Sequence, residues 1–373
     1  MRRVTLDLFA WVYQRLAKPI FFLFAPEFVH DGMTTFGEIL GKGRLVRQIA
    51  ASLCSVSDRT LVQTIAGVRF RSPVGLSAGF DYEAKLTQIL PSLGFGFQTV
   101  GTITNGPYGG NPPPMLGRLP KSRSLMVNKG FKNMGIAATL QKLTGKKFQN
   151  AVGISIGRTN TPRLKTVADS IEDICEAFTE VERSTVPFAY YELNISCPNL
   201  FGNISFYPPK NLRALLTAMQ SLRLSKPLFI KMPIELSNSR ISTLFDVIVK
   251  YPVAGVIFGN LQKNRKDPSF NQEEVKRFPV GNFSGKPTEA RSNELVRLAY
   301  KRYGKKLVVI GCGGIFTAAD AYRKMRLGAS LVQLITGMIY VGPQLVSQIN
   351  SGISELLQKD GYSHVSEIIG KDA

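Results

Sequence analysis

Residues 307–337 read Leu-Val-Val-Ile-Gly-Cys-Gly-Gly-Ile-Phe-Thr-Ala-Ala-Asp-Ala-Tyr-Arg-Lys-Met-Arg-Leu-Gly-Ala-Ser-Leu-Val-Gln-Leu-Ile-Thr-Gly. Two apolar, β-rich runs, 307–313 and 330–337, flank a helical stretch, and each run ends on glycine. Such runs lack the polar alternation of a half-exposed strand. They belong to strands buried on both faces, as in a parallel sheet covered by helical crossovers. Six more runs precede them: 73–80, 96–104, 151–157, 190–196, 227–232 and 254–260. Amphipathic segments lie between, at 170–182, 211–222, 241–249 and 288–303. Eight apolar strands alternating with helices predict an α/β fold, the closed (β/α)8 TIM barrel. The barrel is expected over residues 61–373, with residues 1–60 a separate helical segment. The Pro-rich insert at 106–127 predicts a hairpin beside the barrel mouth.

A barrel of this kind carries its active site at the C-terminal ends of its strands. After strand four those ends read Asn194-Ile-Ser-Cys197-Pro-Asn199. A cysteine there can take a proton from a substrate carbon, and the flanking carboxamides of Asn194 and Asn199 can hold a flat polar ring. Glycine-rich loops after strands seven and eight are the usual phosphate cradle of the fold. Gly313, Gly314, Thr336 and Gly337 stand at those two positions. Lys231 ends strand five and can place positive charge beside an anionic ring edge. Together these features point to flavin mononucleotide. A salt bridge from Lys231 to Glu192 is the competing reading, set aside on the expectation that Glu192 faces away.

Composition narrows the choice. The chain has 373 residues, 44% of them hydrophobic, enough for one large core with appendages. Its four cysteines show no metal-binding spacing, so neither a structural zinc nor a disulfide framework is expected. The two histidines, His30 and His364, follow no predicted barrel strand, which disfavours a histidine base. The net charge of +21 fits a basic surface or anionic lipid. The basic residues are dispersed and no aromatic-interleaved motif accompanies them, so nucleic acid is not the expected partner. Near the N-terminus, Leu6, Phe9, Ala10, Tyr13, Leu16 and Ala17 recur at helical spacing. Pro19 is expected to end that helix before a second apolar cluster at 20–24. Asp7, Arg15, Lys18 and Glu27 interrupt the segment, which excludes a spanning helix. The reading is an amphipathic helical hairpin that lies on a membrane or caps the barrel.

In its ordered motifs the chain resembles the dihydroorotate dehydrogenases, in organisation their quinone-linked, membrane-associated class. The motifs are Pro26-Glu27-x-x-His30, Gly75-Leu-Ser-Ala-Gly-Phe-Asp81, Gly94-Phe-Gly-Phe97 and Val100-Gly-Thr-Ile-Thr104. Gly110-Asn-Pro, Arg118-Leu-Pro120, Gly130-Phe-x-Asn133-x-Gly135, Gly311-x-Gly-Gly-Ile315, Leu331-Val-Gln-Leu334 and Gly342-Pro343 follow. The resemblance implies FMN and a dihydropyrimidine stacked on its ring. A base takes the proton from ring carbon C5, while C6 gives hydride to the flavin. Cys197 holds the base position, where the quinone-linked class has serine. The resemblance further implies substrate contacts from Asn128, Gly130, Phe131, Asn133, Asn194, Asn199 and Asn260. Flavin contacts fall on Ala78, Gly79, Tyr82, Thr102, Ser155, Asn194, Lys231, Gly259, Gly285, Gly313, Gly314, Thr336 and Gly337. His30 and Arg118 are placed along a quinone tunnel. The implied location is peripheral, on the cytoplasmic face of a bacterial membrane or on the mitochondrial inner membrane.

Some positions depart from the family pattern. Tyr82 stands where the family carries a lysine that meets both flavin and substrate carboxylate, and Lys85 is the nearest substitute in sequence. Ser155, Gly259, Leu261, Leu200, Ile335 and the Val127-Asn128 pair also differ. Three readings therefore stand: a dihydroorotate-type dehydrogenase, an FMN barrel acting on another dihydropyrimidine or on tRNA uridine, and a flavin-binding barrel without activity.

Overall fold

A computed structural model describes residues 2–202 and 204–373. Eight parallel strands close a barrel in chain order: β1 (Val74–Leu76), β2 (Phe97–Ile103), β3 (Ala151–Ile156), β4 (Tyr190–Asn194), β5 (Leu228–Lys231), β6 (Gly255–Phe258), β7 (Val308–Cys312) and β8 (Leu331–Leu334). Each falls within a run expected from the sequence. β8 closes on β1, with Gln333 opposite Gly75. Helices such as Val167–Arg183 and Pro209–Ser221 cover the outside. Their apolar faces bury against the outward strand residues, as the amphipathic pattern requires.

An aromatic plug fills the N-terminal end of the barrel: Phe70, Phe97, Tyr190 and Phe229, with Ile257, Ile310 and Leu331. Phe70 comes from a short hairpin, Gln63–Ile65 with Val68–Phe70, that closes this end. Gly75 and Gly153 leave room for the rings. A Cβ at either position would collide with Phe97 or Tyr190. The buried Tyr190 hydroxyl donates to Gln98 O at 3.0 Å and lies 2.8 Å from Thr99 Oγ1, so its polar atom is satisfied. The plug closes the barrel interior at this end, and the interior opens at the C-terminal mouth.

The insert forms the expected hairpin, Leu116–Leu119 with Ser124–Val127, and Asn282–Phe283 extends it to three antiparallel strands. The N-terminal segment comprises α1 (Arg2–Val12), α2 (Lys18–Leu23), α3 (Pro26–Lys42) and α4 (Arg44–Cys54). Here one expectation fails. Pro19 does not end the first helix, because a π-turn at Tyr13–Ala17 joins α1 to α2 and the Lys18 N–H bonds back to Tyr13 O. This wider turn comes directly before Pro19, which then sits in the first turn of α2, where a missing donor is tolerated. The chain bends instead at the extended Phe24, ahead of Pro26. No helix among the described residues is long and apolar enough to cross a membrane.

The arm docks on the barrel through a few directed contacts. Tyr13 Oη donates to Ile339 O at 2.7 Å, and Glu27 accepts from the backbone N–H groups of Met115 and Leu116 at 2.9 and 2.8 Å. Leu6 and Ala10 face inward. The opposite face exposes Trp11, Leu16, Leu23 (82%), Phe28 (68%), Phe36, Ile39, Leu45 and Ile49. Isolated exposed leucines are ordinary, but this many exposed apolar side chains within one four-helix segment are not.

Candidate active site

One deep cavity opens at the C-terminal mouth and encloses about 1220 Å³ of empty space, the open mouth included. Strand ends, the insert sheet and α3 supply its wall. A cavity at this end of the barrel stands where the fold ordinarily places its ligand.

The floor is a polar chain crossing the barrel. Asn194 Nδ2 donates to Thr102 Oγ1 at 2.8 Å, and Thr102 Oγ1 lies 2.9 Å from Ser155 Oγ. Ser155 donates to Glu192 Oε1 at 2.8 Å. Glu192 Oε1 lies 3.9 Å from Lys231 Nζ, which donates to Ser77 Oγ at 2.8 Å. The Lys231–Glu192 pairing set aside in the sequence reading is therefore present. A strand repeats every two residues, so Glu192 and Asn194 share the inward face of β4. Glu192 is fully buried, and its Oε2 has no partner among the described residues.

One side of the mouth is glycine-rich. Gly285, Gly313 and Gly314 all have left-handed backbones, with φ of +84°, +97° and +72°. A Cβ at Gly313 would strike Thr288, and one at Gly314 would strike Glu289. Thr336 Oγ1 and Ser284 Oγ lie 2.8 Å apart beside them. Backbone held this open, with hydroxyls at its rim, suits a phosphate dianion.

The other side carries Cys197 and its carboxamides. Asn194 Oδ1 accepts from the Ser196 N–H and Oγ at 3.1 and 2.9 Å, which fixes the turn that presents Cys197. Asn260 Nδ2 reaches Ser196 Oγ at 2.7 Å, and Asn199 Nδ2 donates to Val127 O at 3.1 Å. Cys197, Asn194, Asn199 and Asn260 all line the cavity. A free thiol titrates near 8.5. Here burial pushes the Cys197 thiol up to about 12, against the opposing pull of the Asn199 N–H, Lys263, Arg158 and Lys231. The thiol is thus the form present at neutral pH.

The sequence-predicted residues divide cleanly. Ala78, Gly79, Tyr82, Thr102, Gly130, Phe131, Lys231, Gly259, Gly285, Gly313, Gly314, Thr336, Gly337 and His30 line the cavity. Ser155 lies beneath its floor. Asn128 and Asn133 are off the wall: Asn128 accepts from Asn111, and Asn133 ties Thr104 to the turn at Gly135. Arg118 is also off the wall. Its Nη1 donates to Phe24 O at 2.7 Å and its guanidinium sits 4.6 Å above the Phe22 ring, clamping the arm to the insert sheet. Toward that arm the wall becomes apolar, with Leu116, Leu125, Phe316, Ile335 and Ile339.

Several wall residues escaped the sequence reading, Lys129, Ser77 and Ser284 among them. Lys129 lies between the predicted Asn128 and Gly130, yet it is buried at 8% exposure and donates to Tyr82 Oη at 2.8 Å. Ser77 anchors Lys231. Lys85, the expected substitute for a lysine at position 82, pairs instead with Glu83 at 2.6 Å and bonds Thr35. His30 stacks on Tyr82, with ring centroids 5.2 Å apart. Burial, reinforced by Lys129, Lys85 and Lys132, holds its pKa well below the ordinary value, so its ring is neutral.

Comparisons with known proteins agree with this geometry. The family model for dihydroorotate dehydrogenase matches residues 60–357. A relative from Mycobacterium sp. (strain KMS), named dihydroorotate dehydrogenase (quinone), is 34% identical over 356 residues, covering 94% of this chain and 96% of its own. One of the same name from Trichormus variabilis is 36% identical over 327 residues, with 86% and 85% covered. Among solved structures, the dihydroorotate dehydrogenase of Eimeria tenella in complex with ferulenol is similar at a TM-score of 0.79 and 28% identity. That match covers 93% of this chain and 95% of the other.

Proposed function

Because this chain belongs to the dihydroorotate dehydrogenase family, we propose that it oxidises dihydroorotate to orotate and passes the electrons to a membrane quinone. The observation that carries the reading is one cavity with three walls of different chemistry: a glycine and hydroxyl cradle, a cysteine among carboxamides, and an apolar stretch reaching the N-terminal arm.

The residues present fit flavin mononucleotide. Gly285, Gly313, Gly314, Thr336 and Gly337 would take its phosphate, Ala78, Gly79, Thr102 and Gly259 its rings, and Lys231 the electron-rich edge of the ring system. When bound, the flavin supplies the acceptor for the hydride leaving C6 of the substrate. The protein's own work is positioning and proton transfer. Asn194, Asn199 and Asn260 hold the pyrimidine face-on. The small fraction of Cys197 that has lost its own proton to solvent removes the C5 proton, and the C5–C6 double bond forms as that proton and the C6 hydride depart. Lys263, Arg158 and Lys231 favour the thiolate electrostatically. The polar floor from Asn194 to Ser77 keeps these groups in register.

The apolar wall and its mouth under α3 would admit the quinone, with neutral His30 beside it and Arg118 fixing the arm that forms the entrance. The exposed apolar face of α1–α4, together with the net charge of +21, would seat the protein peripherally on anionic lipid. The test is anaerobic mixing of the purified, FMN-loaded protein with dihydroorotate. Bleaching of the flavin, followed by recovery on adding a short-chain quinone, supports the reading. A flavin that dihydroorotate leaves oxidised refutes it.

A further inference from the structure

The cavity wall holds three lysines, and two of them have carboxylate partners. Lys231 has Glu192 at 3.9 Å, and Lys132 has Asp31 at the same distance. Lys129 differs. Among the described residues no carboxylate lies within 4 Å of its ammonium. Its partner is the neutral Tyr82 hydroxyl at 2.8 Å, and its Nζ sits 4.2 Å from the centre of the Tyr82 ring. A buried ammonium with only a neutral acceptor is costly to keep charged. An anion arriving in the cavity would supply the missing charge.

Tyr82 is built to hold this ammonium. Its hydroxyl donates to Asp31 Oδ1 at 3.2 Å, which leaves the oxygen lone pair for Lys129. The His30 ring stacks on it and fixes its plane. An ammonium has three donors, and Tyr82 takes one. The loop that carries Lys129 is also tied to the catalytic loop, since Asn199 donates to Val127 O. Lys129 and Cys197 therefore line one cavity from neighbouring loops.

We propose that Lys129, held by Tyr82, is the specificity residue that binds the carboxylate of the substrate in this protein. The inference rests on the dihydroorotate reading above. It relocates the charge that the resembling enzymes carry at position 82 onto position 129, with tyrosine left behind as its bracket.

One consequence separates this role from a packing role. Burial pulls Lys129 down to about 7, with Asp31, Glu27 and Glu83 opposing that fall and Lys132 adding to it. His30 faces it from α3 as a neutral ring, and Lys85 is occupied by Glu83. At a pH roughly one unit above that value the free amine predominates. A bound carboxylate favours the ammonium, so binding takes up a proton.

The experiment uses the FMN-loaded full chain with orotate, and with uracil as a probe that lacks the carboxylate. Flavin absorbance shifts report affinity, and calorimetry in two buffers of different ionisation enthalpy reports proton uptake at about pH 8. Wild-type protein should bind orotate with uptake of a fraction of a proton. Lys129→Met should weaken orotate about 10- to 100-fold, or roughly 1.4–2.8 kcal/mol, and leave uracil unchanged. Lys129→Arg should keep most of the orotate affinity and lose the proton uptake, because arginine stays charged. Equal orotate affinity in wild type and Lys129→Met overturns the inference, as does uptake that persists in Lys129→Arg. If Lys129→Met fails to fold, the arginine variant still decides. Wild-type protein that reacts with dihydroorotate but binds orotate independently of Lys129 sinks this inference alone. Wild-type protein that does neither sinks the functional reading as well.

Discussion

Replacing Lys231 by methionine isolates a buried charge. The two side chains of the pair are 5% and 0% exposed, and their charged atoms lie 3.9 Å apart. At an effective dielectric of about 20, Coulomb attraction at that distance is roughly 4 kcal/mol. The variant loses that attraction and strands Glu192 beneath the cavity with only Ser155 as donor. Removing one partner of a buried pair typically costs about 3–5 kcal/mol. Guanidinium unfolding of FMN-free protein at neutral pH reads this loss directly. Adding Glu192→Gln removes the stranded charge, and the double variant should recover most of the loss, a coupling of about 3 kcal/mol. Additive single losses would refute the reasoning and leave Lys231 a contact of the ligand alone.

Other outcomes follow from the same geometry. Cys197→Ala should retain FMN and lose at least about 10²-fold in the rate of flavin reduction by dihydroorotate, measured by stopped flow. Cys197→Ser should keep part of that rate. Because burial pushes the Cys197 thiol up to about 12, the wild-type reduction rate at saturating substrate should climb with pH above 7; a flat profile there would remove the thiolate from the reaction. Gly314→Val should yield a colourless protein that fails to take up FMN on titration, since its backbone is left-handed and Glu289 fills the space beside it. Tyr82→Lys should bring no gain in orotate affinity, because a second ammonium would crowd Lys129; tighter binding in that variant would place the carboxylate nearer position 82. Deleting residues 2–24 should weaken salt-sensitive binding to anionic vesicles in a flotation assay while preserving the barrel's circular dichroism, and unchanged flotation would move the membrane contact off the arm.

The barrel was legible because its signals are local. A strand buried on both faces must be apolar at nearly every position, and a strand end that meets a ligand closely favours glycine. Residues 307–337 carry both signals and the runs before them carry the first, so the fold was legible along the chain, as was the place of Gly313, Gly314 and Cys197 at the cavity. What the sequence left undecided depends on distances across it. Glu192 and Lys231 lie on adjacent strands far apart in the chain. The period of two already placed Glu192 with Asn194, but only the barrel's closure brought it within reach of Lys231. Pro19 ordinarily breaks a helix, and a π-turn set by packing on residues 339–341 let the helix continue. The thiol of Cys197 has an ordinary intrinsic pKa, and its burial, outweighing the pull of its neighbours, moves it up. Lys129 sits in plain view between Asn128 and Gly130, but sequence does not say whether a lysine points to water or into a cavity. That direction was decided by Tyr82, 47 positions away in the chain, because a buried ammonium goes where an acceptor waits for it.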